Sequence, residues 1–319
     1  MDNAAPEFKP TQMQQLPEST AAVASRRAVE RPVGVQPFRI RFLYVVVIGS
    51  VHLISLLTLV PWFFSWTGVI SLVVSYFVFG VLGITLGFHR LLSHRSFECP
   101  KWFEYFLALL GTCCLQESAM WWVAVHRRHH LYADDQSDPH TPLAGMLWSH
   151  IGWLFVVNRD HLRKATYHQY VRDLTCQRFY RWTDNKVVMS FIVAVHMLLY
   201  FGIGFGVGWM PNGDVMSGIR VGASVLVWGV FLRTVLVMHA AWAINSMTHL
   251  FGYRNYDLPD DSRNNWVLGL LAYGEGWHNN HHANSNSARF GREWWEIDIG
   301  YWTICCLQKI GLARNVVSD

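Results

Sequence analysis

The chain has 319 residues, 52% of them hydrophobic and only 15% charged, with a formal net charge of +4. Soluble domains carry about a quarter charged residues, so the composition argues against an ordinary soluble protein. No lysine- or arginine-rich stripe accompanies the small positive charge, and nucleic acid is not expected as a partner. The six cysteines include no CxxC spacing, which argues against a thiolate zinc site or a redox dithiol.

Residues 1–37 are rich in Pro, Gln, Ser, Ala and Glu without apolar periodicity, and are expected to be disordered or loosely held. Four apolar stretches follow, at about 42–64, 69–88, 187–210 and 219–242. Each is near the ~20 residues that cross a bilayer core as a helix. The stretch 102–122 is apolar too, but Glu104, Gln116 and Glu117 interrupt it, and an interfacial helix is expected there.

Charge sets the expected orientation. Five arginines (Arg26, Arg27, Arg31, Arg39 and Arg41) precede the first stretch, and the segment 89–186 carries twelve Lys plus Arg. The links "SWTG" and "PNGDVMSG" carry none. The positive-inside bias then puts both termini and the long middle segment in the cytoplasm. The expected architecture is all-α and integral to the membrane. Four transmembrane helices are capped by a cytoplasmic helical domain from 89–186 and 243–312, within one unit over 38–312 that leaves a short tail at 313–319.

The cap holds the unusual chemistry. "HRRHH" at 126–130 and "HNNHH" at 278–282 repeat one pattern of His, two others, His, His. Spacings of three and four bring side chains to one side of a helix, so His126, His129 and His130 can converge, as can His278, His281 and His282. Neutral imidazole is a common ligand for zinc, copper and iron. "HRLLSH" adds His89 and His94, whose spacing of five sets the rings about 140° apart on an ideal α-helix. They reach one ion only if the helix ends or distorts there. Eight imidazoles exceed the needs of one ion and imply two metals.

These boxes, with "GITLGFHRLLSHRSF", "WVAVHRRHHLYADDQSDPHTP", "SHIGWLF", "AAWAINSMTHLFGYRNYD" and "GEGWHNNHH", resemble the integral-membrane fatty-acid desaturases, closest to the stearoyl-CoA (Δ9 acyl-CoA) branch, from about Phe38 to Leu312. The resemblance implies a di-iron centre with a ninth ligand, His249, and an asparagine, Asn245, holding a water on one iron. It assigns His89, His94, His126, His130 and His282 to one iron, and His129, His249, His278 and His281 to the other. Glu275, Asp134 and Asp138 are expected to orient the rings. Gln116, Trp122, Ala241 and Trp242 match positions around a kinked acyl tunnel.

By the same resemblance the enzyme uses O2 to place a cis double bond in a saturated acyl chain, at Δ9 and on acyl-CoA. Departures bear on the head group. Ala124 stands where the animal acyl-CoA enzymes have an arginine facing the CoA phosphates, Val157 and Asn158 replace an Arg-Lys pair after "GWL", and Arg159, Arg163 and Lys164 just beyond could supply replacement charge. Acyl-carrier protein and intact lipid therefore stay open. No GxGxxG follows a strand, so the electrons are expected from a separate donor, cytochrome b5 or a ferredoxin. Two rivals remain at this point: a sister di-iron hydroxylase or ketolase, and a non-enzymatic membrane metal protein. The scarcity of ionisable residues in the spans weighs against the second.

Overall fold

The computed structural model describes residues 29–162 and 164–318, without the side chains of 161–166. The expected disorder of residues 1–28 falls outside the described residues. Residues 29–37 are tied down, with Val35 buried against Ile48, Trp148 and Trp153. The described residues form helices and isolated bridges but no strand. Four helices are long and apolar enough to cross a membrane: α1 (Phe42–Leu59), α2 (Trp66–Ser93), and, after the cap helices α3 (Lys101–Thr112) and α4 (Ala119–Tyr132), α5 (Lys186–Trp209) and α6 (Val215–Met247).

Their bounds differ from the apolar stretches for local reasons. α1 stops at Leu59 because Pro61 cannot continue it, and a single turn over Pro61–Phe63 replaces the last expected turn. α2 starts earlier, where the Ser65 side chain caps it by accepting from the Gly68 N–H. α6 runs to Met247 and so carries its C-terminal end into the cap. The apolar stretch 102–122 is not one helix. Left-handed residues Leu115 (φ 55°) and Glu117 (φ 75°) turn the chain between α3 and α4, and Ser118 caps α4.

Small residues let the membrane helices approach. A Cβ on Gly204 of α5 would lie 2.8 Å from the Val225 Cβ and 2.9 Å from the Gly222 Cα of α6. One on Gly83 of α2 would lie 2.7 Å from the Gly111 nitrogen of α3. Such close backbone approach replaces the hydrophobic drive that is missing between helices in lipid. Trp228 Nε1 on α6 donates to the Phe63 carbonyl in the turn after α1, and Ser75 on α2 donates to the Gly229 carbonyl of α6. Further short helices build the cap, among them α7 (His278–Ala283) and α8 (Ile299–Lys309) near the carboxyl end.

Candidate metal centre

Nine imidazoles from four places in the chain meet inside the cap. The first pair depends on a change of helical period. From Val78 to Ser93, α2 is a π-helix, whose i→i+5 bonds set residues five apart on nearly the same side. The His94 N–H donates to the His89 carbonyl at 3.2 Å, and the two rings sit 4.9 Å apart between centroids. This distortion overcomes the 140° divergence of an ideal α-helix. Arg127 holds the end of the π-helix by donating to the Leu92 and Ser93 carbonyls at 2.6 and 3.0 Å, a cation where the helix dipole is negative.

The nine rings fall into two groups. His89, His94, His126, His130 and His281 form one, and His129, His249, His278 and His282 the other. In this arrangement His281 and His282 exchange the places expected from the resemblance. The geometry of a helix explains it. Residues i and i+4 lie about 40° apart on an α-helix, but i+3 and i+4 about 100° apart. His126 and His130 therefore face one group while His129 faces the other. α7 repeats this crosswise: His278 and His282 stay together, with ring centroids 4.3 Å apart, and His281 turns away to His89 and His130. Each HxxHH segment thus serves both groups.

The nitrogen spacing fits ions. Nε2 atoms lie 3.1 Å apart for His89 and His281, 2.7 Å for His94 and His126, 3.0 Å for His130 and His281, and 3.0 Å for His249 and His278. A metal about 2.1 Å from each nitrogen would separate neighbouring octahedral ligands by about 3.0 Å. Carboxylates fix four of the rings. Nδ1 of His129 donates to Asp138 at 2.9 Å, that of His249 to Asp134 at 2.8 Å, that of His282 to Asp260 at 2.8 Å, and that of His89 to Glu275. Neutral rings with the proton on Nδ1 leave a bare lone pair on Nε2. The Nε2 atoms of His129 and His282 are buried with no partner, a costly arrangement unless a cation sits there.

Electrostatics keep the rings ready. Burial, reinforced by neighbouring imidazoles, holds His94, His126, His130, His278 and His281 well below the usual imidazole range. Burial lowers His282 to about 4 despite Asp260. At His129 burial is outweighed by Asp138, and its value rises. Burial opposes the charge of Asp138 and Asp260, but their histidine partners keep both well below the usual carboxylate range.

The other residues singled out from the sequence divide. Trp122 donates to Gln116 at 3.3 Å and stacks on His126 at 5.0 Å, so this pair adjoins the five-ring group. Gln116 also reaches the Val237 carbonyl, one turn before Ala241 on α6. Trp242 belongs to a separate core with Val35, Ile48 and Trp148. Asn245 stands one turn before His249, its carbonyl accepting from Ser149. Arg159 is exposed, Arg163 lies outside the described residues, and the Lys164 side chain is likewise not described.

Sequence reasoning missed Asp260, 22 residues from its histidine with no spacing rule to mark it, and it missed the buried Arg90. Arg90 donates to Glu275 at 3.1 Å, to Asp298 at 2.8 Å and to the Ala288 carbonyl at 2.6 Å. The signal for Arg90 was a charge beside His89 at the end of a span, where burial without partners is prohibitive.

Comparison with known proteins agrees with this geometry. The family model for fatty acid desaturase matches residues 62–302. The chain is 42% identical over 282 residues to the sn-2 palmitoyl-lipid 9-desaturase of Nostoc sp. (strain 36), covering 88% of this chain and 92% of that protein. It is 44% identical over 267 residues to the sn-1 stearoyl-lipid 9-desaturase of Anabaena variabilis, covering 84% and 90%. It is 38% identical over 273 residues to the Acyl-CoA 5-desaturase AL21 of Anemone leveillei, covering 86% and 78%. An all-helical membrane enzyme with two buried imidazole groups at its cap, this chain belongs to the fatty acid desaturase family.

Proposed function

We propose that the enzyme places a cis double bond at Δ9 of a saturated acyl chain esterified in a membrane glycerolipid, using O2 and two iron ions. The observation that carries the metal part is the pair of buried imidazole groups with Nε2 spacings near 3 Å. Hydrogens on mid-chain methylenes are not acidic, so a general base cannot remove them. Iron held by His89, His94, His126, His130 and His281, and by His129, His249, His278 and His282, would supply the oxidising chemistry that does. The chain gives up two hydrogens, an outside donor gives two electrons, two protons enter, and O2 leaves as two waters. Cytochrome b5 or a ferredoxin fits the donor role, docking on a cytoplasmic cap.

Two supports favour a lipid over the acyl-CoA that the sequence resemblance implied. Two of the relatives act on lipid-linked chains at position 9 by their names. Around the position that lacks the CoA-facing cation, Ala124 is buried, Asn158 accepts from the Asp160 N–H, and Arg128 is neutralised by Asp160 at 2.9 Å. Among the described side chains there, Arg128 has its charge engaged, which leaves less for the phosphates of a CoA moiety. Gln116 and Trp122, beside His126, are suited to line the chain where it passes the metals.

The test is product analysis. Expressed in a host without unsaturated fatty acids, the protein should yield Δ9 chains located by mass spectrometry. The purified enzyme with an electron donor should convert labelled stearoyl-glycerolipid and leave stearoyl-CoA unchanged. Conversion of the CoA ester alone would refute the lipid assignment, and a hydroxylated main product would favour the sister oxygenase.

A further inference from the structure

The two imidazole groups differ in what stands behind them. Three of the four rings in the smaller group donate Nδ1 to an aspartate: His129 to Asp138, His249 to Asp134 and His282 to Asp260. Backbone N–H groups hold those carboxylates in place, Asp261 onto Asp134 at 2.6 Å, Asp134 onto Asp138 at 3.2 Å and Ser262 onto Asp260 at 2.9 Å. Among the described residues only one carboxylate backs the larger group, Glu275 on His89. Its charge is shared with Arg90, which also grips Asp298. The Arg127 guanidinium, at the end of the π-helix, stands close to the same group.

An anionic partner on the far nitrogen raises the basicity of the ligating one, and removing it costs about 10–100-fold in metal affinity. Three such partners against one amount to about 10²–10⁴ in favour of the four-histidine group. The larger group answers with one more imidazole, a neutral donor, whereas each carboxylate also acts on the full charge of the cation at low dielectric.

We propose that the four-histidine position binds its cation first and keeps it longest, with Asp134, Asp138 and Asp260 as its positioning residues, so that the chain passes through a state holding one metal. This inference rests on the metal centre under Proposed function, and its test separates the two. Full-length protein in detergent, stripped with a chelator, is titrated with Co2+ alone by calorimetry.

Two steps are expected, separated by tenfold or more. Asp260→Asn should weaken the tight step about 10–100-fold and leave the weak step unmoved. His94→Ala should abolish the weak step and leave the tight one. Wild-type crystals grown with one equivalent of Co2+ should show anomalous density among His129, His249, His278 and His282, a result that needs no variant. Density at the five-histidine group, two equal steps, or loss of the tight step in His94→Ala would each overturn the inference. No Co2+ binding at all would bring down the metal centre with it.

Discussion

Single residues show where spacing informs and where it does not. Box histidines announce themselves by interval, and so does the crosswise pairing once the divergence between i+3 and i+4 is applied. Asp260 and Arg90 carry no such interval; they meet their partners only through folding, across 22 and 185 residues. Replacing His130, whose Nε2 lies 3.1 Å from that of His126 and 3.0 Å from that of His281, should halve the bound metal as well as stop turnover. Iron analysis of purified His130→Ala checks this; full occupancy with lost activity would contradict it.

A second residue governs pH behaviour. Asp173 accepts from Arg127 at 2.8 and 3.0 Å and from Arg95 at 2.6 Å. Burial pushes its carboxyl up, and the two guanidiniums outweigh that and lower it. A depressed acid contributes stability above its unfolded value near 3.9, lost as pH falls through the folded one. Because Arg95 is largely exposed, the contribution is about 1 kcal/mol. Asp173→Asn should therefore lower Tm by about 2 °C at pH 7, with the gap closing below about pH 4. A gap that persists in acid would assign the effect to packing.

At the scale of elements, apolar length marked the four spans, but the break at Pro61, the reach of α6 and the π-helix in α2 were harder to see. A π-helix leaves no mark in hydropathy, because its residues are as apolar as those of an α-helix. The misfit of His89 and His94 on an ideal helix was its one trace. Gly83 shows what the π-helix presses against. Its missing Cβ would meet the Gly111 nitrogen and, at 2.8 Å, the Leu110 carbonyl carbon. Both are backbone atoms that cannot swing aside. Gly83→Ala should cost about 1–3 kcal/mol and be visible in the melting temperature of the detergent-solubilised protein. An unchanged Tm would mean that α3 can retreat without loss.

For the molecule as a whole, the sequence carried the class of fold and the gathering of the histidines, since both follow from pattern. Orientation rests on loop charge alone. Cys176 in the cap is exposed, and Asn212 lies in the short turn between α5 and α6. In sealed inside-out vesicles a membrane-impermeant maleimide should modify Cys176 and spare Asn212→Cys; the reverse pattern would invert the topology.

The crosswise pairing has a further consequence for how the centre is built. α4 and α7 each lend side chains to both imidazole groups, so neither group belongs to one stretch of polypeptide. A ribosome that has released everything up to α7 has made four of the five donors of one group, two of the four of the other, and a finished version of neither. Both groups are therefore completed only in the last fifth of the chain, and a product truncated before α7 lacks at least one donor at each.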